Sequence, residues 1–198
     1  MSYTVLNSAM ASTLLSDPEV AGLFSADADL VAMLDFEAAL AEAEAEAGVF
    51  SSRLAQQIAA ACRGFRPDMV RLDAGISRDG MAVPDLVAQL REAIGTEASK
   101  YLHFGATSQD VIDTSLTLRL QRVNQILEPR LLNVCASLAH LDKRFGTHQL
   151  MARTRMQSAL PILAGHRIHS WRAPLLDLSD DFGQIQIAVH ALQFGGPV

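Results

Sequence analysis

The chain has 198 residues and a formal net charge of −6 at pH 7; 49% of its residues are hydrophobic and only 19% are charged. An acidic balance of this kind excludes a broad nucleic-acid-binding surface, because such surfaces are strongly basic. The length fits one sizeable core or one and a half small domains. Cys62 and Cys135 form no disulfide framework, so we expect a reduced, cytoplasmic protein. We expect neither a signal peptide nor a membrane span, since no uninterrupted run of about 18 apolar residues occurs.

The first hundred residues are typical of a small helical domain. Apolar residues recur at spacings of three and four, and a capping residue or a proline precedes most of these segments. Residues 73–82 contain two glycines and are predicted to form a loop. Four glutamates of the second segment are interpreted as a solvated face, because no histidine or cysteine accompanies them. These are Glu37, Glu42, Glu44 and Glu46. Helices are expected at residues 18–24 and 27–48, from Ser51, from Pro67, and at residues 84–95.

The second half predicts two unusually long helices. The first begins at Thr107 or Ser108 and follows an apolar stripe to residue 146, which is about 38 residues or about 57 Å at 1.5 Å per residue. Pro129 predicts a kink or a local break in it. Residues 148–158 are expected to be a short polar connection, and a heptad seam containing Trp171 predicts a last helix over residues 161–194. Two such helices in succession indicate a long antiparallel bundle shared between subunits.

The start of the first long helix is a candidate binding site. Thr107 followed by Asp110 three residues later resembles a capping box, and the first amide N–H groups of a helix carry partial positive charge. The hydroxyls of Thr107 and Ser108, with Lys100 and His103 just upstream, predict a pocket for a small polyanion. The alternative is a well-capped helix that binds nothing, and the spacing alone favours this alternative.

Two arginines in the predicted connection form a second candidate. Arg153 and Arg155, with Gln157 beside them, fall within five residues. A carboxylate-rich ligand would satisfy both guanidinium groups, and the equally weighted alternative is that they face water or Asp180 and Asp181. This connection and the helix start lie at opposite ends of a helix of about 57 Å. The two candidate sets can therefore meet only across the interface of an oligomer.

The remaining histidines predict no metal site. His166 and His169 are three residues apart on the last predicted helix, which is a possible spacing for a metal pair. No carboxylate stands with them at ligand spacing, so surface or interface positions are the better interpretation. We therefore expect no metal.

Two stretches resemble signatures of the fumarase/aspartase superfamily. Residues 103–114, HFGATSQDVIDT, are similar to its first signature and look most like the 3-carboxy-cis,cis-muconate cycloisomerases within it. Residues 151–157, MARTRMQ, are similar to that family's second signature. The LDFEAAL within residues 30–41 is similar to its N-terminal helix. The resemblance extends over essentially the whole chain.

The resemblance implies an all-α fold. A small N-terminal helical domain would span residues 1–100, and residues 101–198 would form the first part of a long-helix bundle that continues beyond this chain. The implied assembly is a homotetramer whose active sites combine signature regions from different subunits. The implied reaction is a cofactor-free lactonisation of 3-carboxy-cis,cis-muconate, in which a carboxylate oxygen adds to a double bond and a proton goes to the neighbouring carbon.

The resemblance also implies roles for single residues. By position, His103, Thr107, Ser108 and Arg153 would bind substrate carboxylate, and Arg155 and Gln157 would line the same pocket. Arg155 is a departure, since related lyases such as adenylosuccinate lyase carry a histidine there. The third signature, a Gly-Ser-Ser loop with the presumed serine base, does not occur in these residues. A lyase acting on a succinyl adduct and a non-catalytic helical assembly domain remain the alternatives.

Overall fold

The computed structural model describes residues 14–188 and 191–196. These residues divide into two compact units, one made of residues 14–120 with residues 191–196 and the other of residues 121–188. Each unit contains part of the longest helix, because the division falls within it. The predicted domain boundary at residue 100 stays a prediction.

The first unit consists of short and medium helices whose starts follow local capping signals. The side chain of Asp17 accepts from the N–H groups of Glu19 and Val20, Ser25 caps the next helix, and Asp68 caps a later one. These are the starts that the sequence predicts. The elements are α1 (Pro18–Gly22), α2 (Ala26–Glu46), α3 (Ser52–Gly64), α4 (Met69–Asp79), α5 (Val83–Ala93), a 3₁₀ turn (Ala98–Lys100) and the first part of α6 (Ser108–Phe145).

The hydrophobic core of the first unit lies between α2, α3 and α5. The predicted apolar stripe of α2 is buried at Leu30, Met33 and Leu34, and Ile58 of α3 and Leu90 of α5 are fully enclosed. Burying such side chains stabilises the fold by about 1.5–3 kcal/mol each. The residues that lead into α6 and those of its first turn close this core, so the start of α6 is held against the packed interior. They are Leu102, Ala106 and Val111.

The predicted loop at residues 73–82 is wrong, because α4 continues as a helix to Asp79 and ends at Gly80, whose φ is 77°. The other glycine, Gly75, serves a close contact. A Cβ on it would lie 2.6 Å from Cβ of Asp85 on α5. Asp85 is 6% exposed, and its carboxylate accepts from Nε2 of Gln89 at 2.7 Å. Gly75 therefore lets α4 approach a buried polar group of α5, whereas the sequence pattern alone suggested a break.

The second unit contains the rest of α6, a β-hairpin and a second long helix. The elements after α6 are β1 (Gln149–Thr154), β2 (Gln157–Leu163) and α7 (Ala164–Ala188). The predicted bounds of α6 are confirmed, and the helix continues through Pro129 without a break. Residues 191–196 are not helical, so the predicted end of the last helix near residue 194 is wrong.

The expected polar connection at residues 148–158 is also wrong, because β1 and β2 pair there as an antiparallel hairpin. Arg155 and Met156 form its turn with φ of 45° and 69°, and positive φ at both positions is what the type I′ hairpin turn requires. Pro161, the expected start of the last helix, lies in β2 opposite Met151. The sequence did not predict this hairpin, because Asn-Gly or Asp-Gly is the usual signal for such a turn and Arg-Met is not.

The long helices carry apolar side chains that the single chain leaves exposed. Trp171, which lies on the predicted heptad seam, is 55% exposed in one copy of the chain. Leu178 and Ile185 on the same predicted seam, and Val134 and Leu141 on α6, are also more than two-fifths exposed. Within the described residues, no helix combines the length and the apolar character needed to cross a bilayer.

Candidate functional site

The start of α6 forms half of the predicted capping box. The N–H of Thr107 donates to Oδ2 of Asp110 at 2.9 Å, and the N–H of Asp110 donates to the carbonyl oxygen of Thr107 at 3.0 Å. The Thr107 hydroxyl is therefore not used as a cap. Within residues 14–188 and 191–196, the hydroxyls of Thr107 and Ser108 and the amide N–H groups of Ser108 and Gln109 have no hydrogen-bond partner. The helix end thus offers two hydroxyls and two amides to an anion.

A buried carboxylate ties this helix start to residues 191–196. Asp110 is 1% exposed, and its oxygens accept from the amides of Gly195 at 2.9 Å and Gly196 at 3.2 Å. Burial by itself would raise the pKa of Asp110, but the donated N–H groups and the nearby His103 outweigh it and lower the pKa. Gly196 has a φ of 69°, and a Cβ on it would lie 2.7 Å from the carbonyl oxygen of Gly105. Sequence reasoning did not identify this contact, because its partners are about 85 residues apart.

His103 is held by a glutamate that sequence reasoning placed in solvent. Nδ1 of His103 lies 2.6 Å from Oε1 of Glu37, and the side chains are 15% and 2% exposed. The interpretation of Glu37 as part of a solvated face is therefore wrong. A signal was present, since Glu37 follows Met33 by four residues and precedes Ala41 by four, which puts it on the buried stripe of α2. The absence of a neighbouring histidine in the sequence concealed its actual partner.

A second glutamate of α2, Glu44, is partly buried. Oε2 of Glu44 is buried without a hydrogen-bond partner among the described residues. Burial, followed by repulsion from Glu37, raises the pKa of Glu44 to about 7. Glu42 and Glu46 are exposed as predicted. The carboxyl of Glu44 also forms part of an apolar cavity of about 390 Å³, lined on the other side by Leu192 and Phe194.

The predicted arginine set lies in the hairpin of the second unit. Arg153 is in β1 opposite Ser158, Arg155 is in the turn, and Gln157 opens β2 opposite Thr154. Their side chains are exposed, and the salt bridges found within the described part of the chain include neither Arg153 nor Arg155. The ion pairs suggested as an alternative are therefore not formed within those residues. Two guanidinium groups this close favour an anionic partner.

The site residues thus fall into two local groups. His103, Thr107 and Ser108 lie together at the start of α6 in the first unit, whereas the hairpin of the second unit carries the arginines and Gln157. Lys100, the other candidate cation, is exposed on the 3₁₀ turn. The first group adjoins three carboxyls, those of Glu37, Glu44 and Asp110, so it is not a simple cationic pocket. The binding roles assigned to these residues stay predictions.

Comparison with known proteins bears on the family. A family model described as Lyase matches residues 15–198. The chain belongs to this lyase family. The chain is 35% identical over 177 residues to the 3-carboxy-cis,cis-muconate cycloisomerase of Pseudomonas aeruginosa, an alignment that covers 88% of the chain and 39% of that protein. It is also 35% identical over 157 residues to the adenylosuccinate lyase of Methanothermobacter thermautotrophicus, covering 78% of the chain and 34% of the relative.

A solved structure confirms the fold of this chain. The crystal structure of the 3-carboxy-cis,cis-muconate lactonizing enzyme from Pseudomonas putida matches with a TM-score of 0.86 and 34% identity, over 91% of this chain and 42% of that one. The predicted all-α architecture and the family resemblance are confirmed. The chain spans about two-fifths of the length of the muconate cycloisomerase that it matches.

Proposed function

We propose that the whole protein is a 3-carboxy-cis,cis-muconate cycloisomerase, which converts its substrate to 4-carboxymuconolactone in the catabolism of protocatechuate. The observation that carries the proposal is the start of α6, a few residues after His103, where two hydroxyls and two amides have no partner among the described residues. Relatives of that name with about 35% identity support the choice of reaction.

The geometry suits an isomerisation of a polycarboxylate. A substrate carboxylate would accept hydrogen bonds from Thr107 and Ser108 at the positive end of the α6 dipole, with His103 beside it. One carboxylate oxygen then adds to the double bond, and a proton is added to the adjacent carbon, so the atoms balance without a cofactor. The transition state has enolate character. Fixed donors that face the charged carboxylate would therefore stabilise it more than the ground state.

The arginine hairpin would complete the site from another copy of the chain. Arg153 and Arg155 can each donate two parallel hydrogen bonds to a carboxylate, and Gln157 would line the same pocket. The exposed seam of α7 supports an oligomer, because apolar side chains such as Trp171 and Leu178 would otherwise remain in water. We propose a homotetramer with shared active sites and a small polycarboxylate as its substrate.

A spectrophotometric assay on the whole protein tests this function. Loss of the diene absorbance of 3-carboxy-cis,cis-muconate is the expected result. Fumarate release from adenylosuccinate would instead support the second candidate, which the 35% identity to an adenylosuccinate lyase favours and Arg155 in the second signature opposes. Neither activity in a correctly assembled protein would refute both and leave a helical assembly domain.

A further inference from the structure

Glu37 is a charged side chain that the proposed chemistry does not use, and it is enclosed by the first unit. Glu37 is 2% exposed. Its Oε1 lies 2.6 Å from Nδ1 of His103, and its Oε2 is buried without a hydrogen-bond partner in the described part of the chain. An enclosed carboxylate is strongly unfavourable unless a partner compensates the lost hydration. Its presence in this core therefore depends on what it pairs with.

Among the described titratable groups around Glu37, one is able to compensate its charge. Glu44 approaches from the same helix, and the negative charge of Glu37 is one cause of its raised pKa. Cys62 approaches from α3, and burial together with the Glu37 charge raises the pKa of its thiol. Both are acids that a carboxylate repels in their ionised forms. His103, from the loop before α6, is the group that can donate a proton in a hydrogen bond and carry a positive charge.

The same contact sets the orientation of the imidazole. With Glu37 as a carboxylate, which can only accept, Nδ1 is the nitrogen that donates in this contact, and Nε2 lies across the ring from that bond. The backbone of His103 has a φ of 57°, a left-handed conformation that is unfavourable for residues other than glycine. A buried ion-pairing partner is the kind of contact that keeps such a residue in place.

We propose that Glu37 is a positioning residue: through Nδ1 it fixes the His103 ring so that Nε2 faces the anion held at the start of α6. The inference rests on the proposed function for the nature of that anion, a polycarboxylate, but the Glu37–His103 pairing does not depend on the reaction. The direction of the change in anion binding distinguishes a positioning role from a simple electrostatic one. By simple electrostatics, removal of a carboxylate beside an anion site tightens anion binding, whereas loss of a positioning contact weakens it.

The test measures binding of tricarballylate, a saturated tricarboxylate that cannot lactonise, to the whole protein by isothermal titration calorimetry. Glu37→Met removes the acceptor but keeps nearly the same side-chain length. It is expected to weaken tricarballylate binding about tenfold, a factor that corresponds to the loss of one charge-assisted hydrogen bond. Glu37→Gln keeps an oxygen acceptor and should stay within about threefold of wild type. Glu46→Gln is the matched control, because it removes an exposed carboxyl from the same helix that is not bonded to His103, and it should stay within about twofold.

The His103→Gln background separates positioning from a general structural effect. If Glu37 acts through His103, Glu37→Met weakens binding no further in that background; an equal tenfold loss in both backgrounds overturns the proposal. Unchanged or tighter binding by Glu37→Met, with the wild-type mass and melting temperature, overturns it as well. A wild-type protein that binds no tricarballylate overturns the role at the anion site. Tricarballylate binding without any muconate turnover would refute the proposed function alone.

A second measurement on the wild type keeps the inference falsifiable if Glu37→Met does not fold. Diethyl pyrocarbonate acylates accessible imidazole nitrogens, and peptide mass spectrometry counts the acyl groups on each histidine. The Glu37 contact predicts a single adduct on His103, because Nδ1 is occupied. A double adduct on His103 in the folded wild-type protein would overturn the proposal, and the exposed His166 serves as the reference for reagent access.

Discussion

Replacement of Asp110 by asparagine tests whether one buried carboxylate holds the start of α6 together. Its two oxygens accept N–H donors from Thr107, Gly195 and Gly196 at 2.9 to 3.2 Å, and the residue is 1% exposed. Asparagine has one acceptor oxygen, so its NH₂ group would face an N–H donor. Hydrogen bonds to a charged group contribute about 1.5–3 kcal/mol each, and a buried unsatisfied donor costs about 1–3 kcal/mol. We expect Asp110→Asn to lower the free energy of unfolding by about 3 kcal/mol.

The assay is urea unfolding of the whole protein followed by far-ultraviolet circular dichroism, at one fixed protein concentration because oligomer stability depends on it. Asp113→Asn is the matched control on the same helical turn. Among the described residues its carboxylate accepts only from the exposed Gln109 side chain, so a change within about 0.5 kcal/mol is expected. If Asp110→Asn loses no more than Asp113→Asn, the buried carboxylate does not hold this helix start.

The pH dependence gives a second test of the same residue. The folded pKa of Asp110 is lowered from 3.8, so between the two values the unfolded chain binds more protons than the folded one. Stability from Asp110 is then fully present above pH 3.8 and is lost as the pH falls through the folded pKa. The stability difference between wild type and Asp110→Asn should shrink in that acidic window. A difference that stays constant there would contradict the assigned ionisation.

Three further predictions follow from single contacts. The pKa of Glu44 is raised from 4.5 to about 7, so the folded chain binds more protons than the unfolded chain between these values. The contribution of Glu44 to the free energy of unfolding is therefore fully present below pH 4.5 and is lost as the pH rises to about 7. Partial exposure limits this loss to about 1 kcal/mol, and Glu44→Gln should abolish it in thermal melts over that range; equal slopes would refute it. Gly75→Ala should destabilise by about 1–3 kcal/mol in urea, because its Cβ would meet Asp85 at 2.6 Å, whereas Gly64→Ala meets nothing within 4 Å and should be neutral or stabilising. Ser108→Ala should lower muconate turnover about tenfold or more without changing the assembled mass, whereas Ser170→Ala should not; unchanged turnover would remove Ser108 from the site.

The hairpin and the fourth helix show where local patterns fail. Glycine weakens a helix on average, so Gly75 and Gly80 together favour a loop, yet only Gly80 has positive φ. Gly75 is needed because Asp85, ten residues away, comes within a carbon–carbon contact of it. Likewise, Arg155 and Met156 are poor turn residues by propensity, but the pairing of β1 with β2 compensates for their left-handed conformations. In both places, a contact between separate elements outweighed the local preference.

The candidate site was predicted in part. The positions of Thr107 and Ser108 at the start of a long helix followed from the capping pattern and are confirmed, as is the family to which their signature belongs. The partner of His103 was not predicted, because Glu37 lies 66 residues away and a glutamate on an Ala-rich helix resembles a solvated one. The amides of Gly195 and Gly196 were missed for the same reason.

Helix starts in the first unit, the 38-residue length of α6 and the signature stretches were determined by the sequence alone, because caps, periodicity and helix hydrogen bonds join residues no more than a few positions apart. Only the tertiary structure decided which carboxylates leave water, which glycines pack against other elements and which donors reach Asp110. These outcomes depend on groups tens of residues apart in the chain. Their energies come from desolvation and close packing, and both exist only once the elements have come together.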